Sequence, residues 1–119
     1  MTIAQWLVGP QLVGTVMLIA GFIQKTWPPK KINALYGYRS PTSQKNQQTW
    51  DEGNHYSGKM MMKLGLIAIV IGLIAVPLVD KAHSIIMLVL LMISGISIPV
   101  TMIALTEKHL NRLFDNTAE

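Results

Sequence analysis

Cysteine is absent from this 119-residue chain, which removes disulfide frameworks, zinc–thiolate sites and thiol catalysis together. Charge is scarce too: 13% of residues are Asp, Glu, Lys or Arg, against about a quarter in a soluble domain. Three stretches hold almost none of it. Met1 to Gln24 has no ionisable side chain, sixteen uncharged residues separate Lys63 from Asp80, and between Ala82 and Thr106 the only titratable group is His83. A domain this small has too little interior to bury three such stretches, so a soluble globular enzyme is excluded. No basic segment precedes the first stretch and no small-residue cleavage site follows it, so it reads as a span rather than a secretory signal.

Half of the residues are apolar. A membrane-crossing helix needs roughly 20 mainly apolar residues for about 30 Å of hydrocarbon. Three segments qualify, at about 3–23, 60–79 and 84–106. Lys63 falls in the first turn of the second and would extend its ammonium to the interface. The expected fold is all-α: a polytopic integral membrane protein of three transmembrane helices in one membrane domain. The short turn Asp80-Lys81-Ala82-His83 makes spans two and three antiparallel neighbours.

Basic residues set the orientation. Lys25, Lys30, Lys31, Arg39, Lys45, Lys59 and Lys63 lie in or beside the long connection, Lys108 and Arg112 follow span three, and Lys81 alone lies on the other side. The long loop and C-terminus are therefore expected in the cytoplasm of a multi-pass cell-membrane protein, with the N-terminus outside. The net charge of +4 is read as attraction to anionic headgroups, with no direct contact to nucleic acid.

Span two carries Gly65, Ala68, Gly72 and Ala75 on one face, and span three carries Ser94, Ser97 and Thr101, with Pro99 expected to kink the helix. Either these residues only pack helices, or Gln11 and the Ser/Thr stripe line a polar cavity. In the loop of residues 24–59, Gly37 between two tyrosines marks a turn. Ser40-Pro41 reads as an N-cap followed by proline at the first helical position. The interfacial helix begun there runs into span two or bends near Gly53 or Gly58. Trp50, Asn54, Ser57, Met61 and Gly65 share one helical face.

Asn33, the run Gly37-Tyr38-Arg39-Ser40-Pro41, Ser43, Trp50, Asn54, Gly58 and Gly65 together resemble the signature of the SdpI family, over about residues 28–66. Family members typically show an asparagine, then Gly-x-Arg-Thr-Pro, then a tryptophan about nine residues on, then a small residue or asparagine and a glycine entering a helix. Ser40 stands where threonine is usual and keeps the hydroxyl. The immunity protein that names the family resembles a six-span chain with an additional N-terminal half. The resemblance implies a non-enzymatic membrane protein that gives immunity to, or signals the presence of, a secreted antimicrobial peptide. Its partners would be membrane lipids, the peptide toxin and a cytoplasmic regulator. Asn33, Gly37, Arg39, Ser40, Pro41, Trp50, Asn54 and Gly58 are the signature and candidate ligand-binding positions.

Two roles are open to Arg39, whose guanidinium forks onto carboxylate or phosphate. It grips a lipid phosphate or a partner's acid, or it ties the loop to helix-end carbonyls, Asp51 or Glu52. Lys30, Lys31 and Lys45 are further candidate phosphate contacts, and the alternative function is lipid-headgroup binding or small-solute transport through the basic loop. Asp51 and His55 at i, i+4 make half of a metal or acid–base site and lack a second histidine on the same side. No Ser-His-Asp order, glycine-rich phosphate loop or paired intramembrane carboxylate is present, so no enzyme activity and no cofactor are expected. Self-association is expected, since three short helices leave a small-residue face over.

Overall fold

The structure, a computed structural model, describes residues 6–78 and 83–114. They form three long helices: α1 (Pro10–Thr26), α2 (Gln47–Leu78) and α3 (His83–Phe114). The non-helical connection is 27–46, the remainder of the loop read at 24–59 being helical. The described residues contain no strand.

The start of α2 corrects the reading of Ser40-Pro41. Ser40 and Ser43 do exchange backbone–side-chain bonds, Ser43 N–H to Ser40 Oγ at 3.0 Å and Ser40 N–H to Ser43 Oγ at 2.9 Å. That reciprocal cap closes only a single turn. A second one, Asn46 with Thr49, starts the helix: Thr49 N–H donates to Asn46 Oδ1 at 2.9 Å and Asn46 N–H to Thr49 Oγ1 at 3.1 Å. The Thr49 hydroxyl also reaches the Ser43 carbonyl at 3.0 Å, welding the first turn to the second. From Gln47 the helix is continuous through Gly53 and Gly58. The interfacial helix and span two are therefore one element of 32 residues, about 48 Å long at 1.5 Å per residue.

The other boundaries shift as well. α1 is continuous only from Pro10, because Gly9 at φ +146° breaks the chain ahead of it. α3 passes through Pro99 and runs two turns beyond 106. Residues 3–5, Val79 and most of the Asp80–His83 turn lie outside the described residues.

α1 and α2 meet through glycine. A Cβ on Gly65 would stand 2.6 Å from the Gly14 carbonyl oxygen, and one on Gly14 would collide with the Gly65 carbonyl. The Cα hydrogens in those places point at the opposite carbonyls, a reciprocal contact open only to small residues. A turn or two along, Gly21 faces the Gly58 carbonyl and Gly72 faces Gln11. Gln11 is 5% exposed. Its Nε2 donates to the Trp6 and Val8 carbonyls at 2.7 and 3.3 Å, while Oε1 has no conventional donor and lies against the Gly72 Cα. Gln11 thus seats the start of α1 on α2 and does not line a polar route. The Ser/Thr stripe divides: Ser94 is buried and bonded to its own helix at Leu91 O, 3.0 Å, Ser97 is exposed but borders with Ser94 a mainly apolar cavity of about 230 Å³ against α2, and Thr101 is exposed. Thr101 lies off the contact face of α3, which is built from Met87, Ser94, Thr106 and Leu110.

Outside this seam the helices present aliphatic belts. Leu12, Val16, Ile19 and Phe22 on α1, Leu66, Val70 and Ile74 on α2, and Ile85, Met92, Ile96 and Val100 on α3 are all more than 40% exposed. Such a surface suits hydrocarbon and not water. α2 and α3 are each long and apolar enough to cross a membrane. The polar first turns of α2 and the last turns of α3 project together at one end of a body 55 Å long.

Replacing Gly65 with alanine should therefore cost about 1–3 kcal/mol of unfolding free energy in detergent. Gly58→Ala, whose Cβ meets nothing nearer than 3.6 Å, should stay within about 0.5 kcal/mol of wild type. Equal losses at the two positions would contradict the glycine seam.

Candidate functional site

The signature residues converge on the end of the molecule where the connection 27–46 folds over all three helices. Asn54, on α2, is the centre. Its Oδ1 accepts the Tyr38 N–H at 2.6 Å, and its Nδ2 donates to the Tyr38 carbonyl at 3.3 Å and to the Trp50 carbonyl at 3.0 Å. One side-chain amide thus satisfies both backbone groups of Tyr38. Gly37 makes the approach feasible: it holds φ +97°, and a Cβ there would strike Asn54 Oδ1 and come 2.5 Å from Pro29.

Trp50 lies wholly inside this cluster, 0% exposed, with Nε1 donating to the Pro29 carbonyl at 2.8 Å. It is a buried brace and not a headgroup-level anchor. Gln24, at the end of α1, donates to the Asn54 carbonyl at 2.7 Å and to Ser57 Oγ at 2.8 Å. Gly58 is buried beside Gln24 and Gly21. Asn33 organises the outer loop, its Oδ1 accepting the Leu35 and Tyr36 N–H groups at 2.9 and 2.7 Å. Arg39 is exposed, donates through Nε to the Asn33 carbonyl at 2.8 Å and makes no ion pair among the described residues. Its acidic candidates are occupied elsewhere: Gln47 holds Asp51 at 2.7 Å and His109 meets Glu52 at 2.9 Å. Pro41 is exposed at the start of the first turn.

The loop is fastened to α3 by Glu107, one residue beyond the apolar run 84–106. Glu107 Oε2 accepts the Tyr38 hydroxyl at 2.5 Å and the Ser40 hydroxyl at 2.7 Å. Burial pushes the carboxyl up, but the hydroxyls of Tyr38, Ser40 and Thr42 outweigh it and hold its pKa below the ordinary value. The Tyr38 hydroxyl moves the opposite way, raised by burial and by donating to Glu107. A second tie lies nearby, where Tyr56 stacks on His109 with ring centroids 4.0 Å apart.

Among the cavities at this end, two border the connection. One, about 210 Å³, is bordered by Lys25, Lys30, Asp51, Asn54 and His55. The other, about 400 Å³, lies between the loop and the helices and is bordered by Tyr38, Arg39, Ser40, Met61, Met102 and Ile103. Lys30 borders the first; Lys31 and Lys45 are exposed and border neither. Glu107, Gln24 and the Asn46–Thr49 cap escaped the sequence reading. Glu107 had a signal, being the first acid after a long uncharged run.

The family model described as the SdpI/YfhL protein family matches residues 30–104. This chain belongs to that family. The match takes in most of the connection, α2 and most of α3; it holds Asn33, Gly37, Tyr38, Ser40, Trp50 and Asn54, while their partners Gln24, Pro29 and Glu107 lie outside it. The uncharacterized protein YfhL of Bacillus subtilis (strain 168) is 44% identical over 61 residues, 51% of this chain and 56% of that relative. The chain thus matches little more than half the relative's length. No solved structure matches this chain.

Because the folded Glu107 carboxyl is more acidic than an unfolded one, its bonds stabilise above the ordinary carboxylate range and are lost as pH falls through its lowered pKa. Thermal melting in detergent should fall on acidification below about pH 4. Glu107→Gln should lower the melting point at neutral pH and flatten that acid limb; an unchanged limb in the variant would contradict the role given to this carboxylate.

Proposed function

We propose that this SdpI/YfhL-family chain is a non-enzymatic, three-span membrane protein that gives immunity to, or signals the presence of, a secreted antimicrobial peptide. The observation that carries the reading is that its signature residues build a rigid platform by hydrogen bonding to one another. Asn54 and Trp50 spend their polar atoms on the connection, Gly37 leaves Asn54 the room to do so, and the Ser40 hydroxyl goes to Glu107 on α3. A platform of that kind presents a surface and suits recognition more than bond-making.

The platform faces the cytoplasm and the N-terminus lies outside. Seven basic residues from Lys25 to Lys63 support that direction. The ties from Tyr38 to Glu107 and from Glu52 to His109 place the loop and the end of α3 at one end of the body, as two further crossings require. The peptide engages the outward aliphatic faces within the bilayer, and the basic loop offers the cytoplasmic regulator its contact. The exposed belts of α2 and α3 leave room for a second copy of the chain.

Topology is testable without background, since the chain has no cysteine. A membrane-impermeant maleimide applied to intact spheroplasts should label Lys81→Cys and spare Lys30→Cys until the cells are lysed; labelling of Lys30→Cys in sealed cells would reverse the assignment. For the activity, a deletion strain grown in filtered medium from a wild-type culture should be inhibited. Wild-type protein should restore growth and Asn54→Ala should not. Equal growth of the deletion and parent strains would overturn the immunity reading.

A further inference from the structure

We propose that the 400 Å³ cavity beside Arg39 is a binding site for one anionic phospholipid, with the phosphate on the guanidinium and an acyl chain along α3. This goes beyond the immunity reading and does not depend on it. The lining of the cavity is mixed. Arg39 is its one charged side chain, Gln24, Tyr38, Ser40 and Ser57 are polar, and Met61, Met102 and Ile103 are its apolar part. Its volume lies in the range that holds small-molecule ligands.

Charge decides the head of the ligand. Arg39 spends Nε on the Asn33 carbonyl, which orients the planar group and leaves both terminal nitrogens, four N–H donors, without an acid among the described residues. Glu107, on α3, is bonded to the two residues that flank Arg39, and the Tyr38 and Ser40 hydroxyls hold it. An exposed, pre-oriented fork without a counter-charge matches the two oxygens of a phosphate.

The tail follows from where the cavity opens. Ile103 lies one turn before Glu107, at the junction of the polar platform and the aliphatic belt. Ile96, Val100 and Ile103 form a row on α3 at 68%, 58% and 46% exposure, with the four- and three-residue spacing of one helical face. A chain leaving the cavity along that row stays against apolar surface into the hydrocarbon. A free phosphate would use the head and leave this half empty.

The test uses the full chain purified in an uncharged detergent and mixed with equal amounts of phosphatidylglycerol and phosphatidylcholine of the same acyl composition. Native mass spectrometry reads which lipid stays bound. One phosphatidylglycerol should be retained per chain, preferred by about tenfold or more over phosphatidylcholine, whose phosphate is already partnered by its own choline cation, so that the guanidinium adds a charged hydrogen-bonded pair only for the former. Arg39→Gln should bring that preference near parity, and Lys45→Gln should leave it in place. Met102→Trp, which fills the apolar half and keeps the guanidinium, should lower retention of phosphatidylglycerol; it carries the test if Arg39→Gln loses helical circular dichroism. The proposal is overturned if Arg39→Gln keeps the preference, if Lys45→Gln removes as much, or if Met102→Trp changes nothing. It is also overturned if tail-less glycerophosphoglycerol or inorganic phosphate at the lipid's concentration displaces the lipid, since the site would then read the head alone.

Discussion

One side-chain amide holds the functional end of this molecule together. Asn54 presents an acceptor to the Tyr38 N–H and a donor to the Tyr38 carbonyl, doing for a single loop residue what a neighbouring strand does in a sheet. The pairing takes place where Asn54 is 2% exposed, so neither group can fall back on water and the cost of breaking it is high. With Tyr38 fixed, its hydroxyl is delivered to Glu107 on α3 and Arg39 is set at the mouth of the adjoining cavity. Gln24 grips the Asn54 carbonyl from α1. All three helices are thereby joined through one residue and its immediate partners.

The bilayer half obeys a different rule. In hydrocarbon, burying apolar side chains gives helices little reason to associate, and contact depends on close packing and weak polar contacts. Gly14, Gly21, Gly65 and Gly72 let α1 and α2 approach until backbone meets backbone. α3 has no such seam and leaves most of its face outward. The chain thus combines a tight two-helix core with a third helix held at its polar end by Glu107 and His109.

Much of this was legible from composition and spacing. The spans at about 60–79 and 84–106 could be read as apolar helix because runs so poor in charge have few other fates. The face from Trp50 through Asn54, Ser57 and Met61 to Gly65 is buried as its spacing indicates. Local competition hid the rest. Ser40-Pro41 has the chemistry of a helix start, and nothing nearby says that a second cap at Asn46 and Thr49 takes over six residues later. Gln11 looked like half of a polar cavity because its partner, the bare Cα of Gly72, donates no conventional hydrogen bond. The role of Glu107 depends on a contact 69 residues away in sequence, and spacing arguments do not reach that far.

The family assignment and the platform bear on the same stretch of chain, and the account stands on that platform being folded. Hydrogen exchange of the Tyr38 amide in the detergent-solubilised protein tests this most directly, because that N–H has a single acceptor in Asn54 Oδ1. The account predicts strong protection in the wild type and loss of it in Asn54→Ala while the amides of α2 beyond Gly65 stay protected. A Tyr38 amide that exchanges in the wild type as fast as in an unfolded peptide would contradict it.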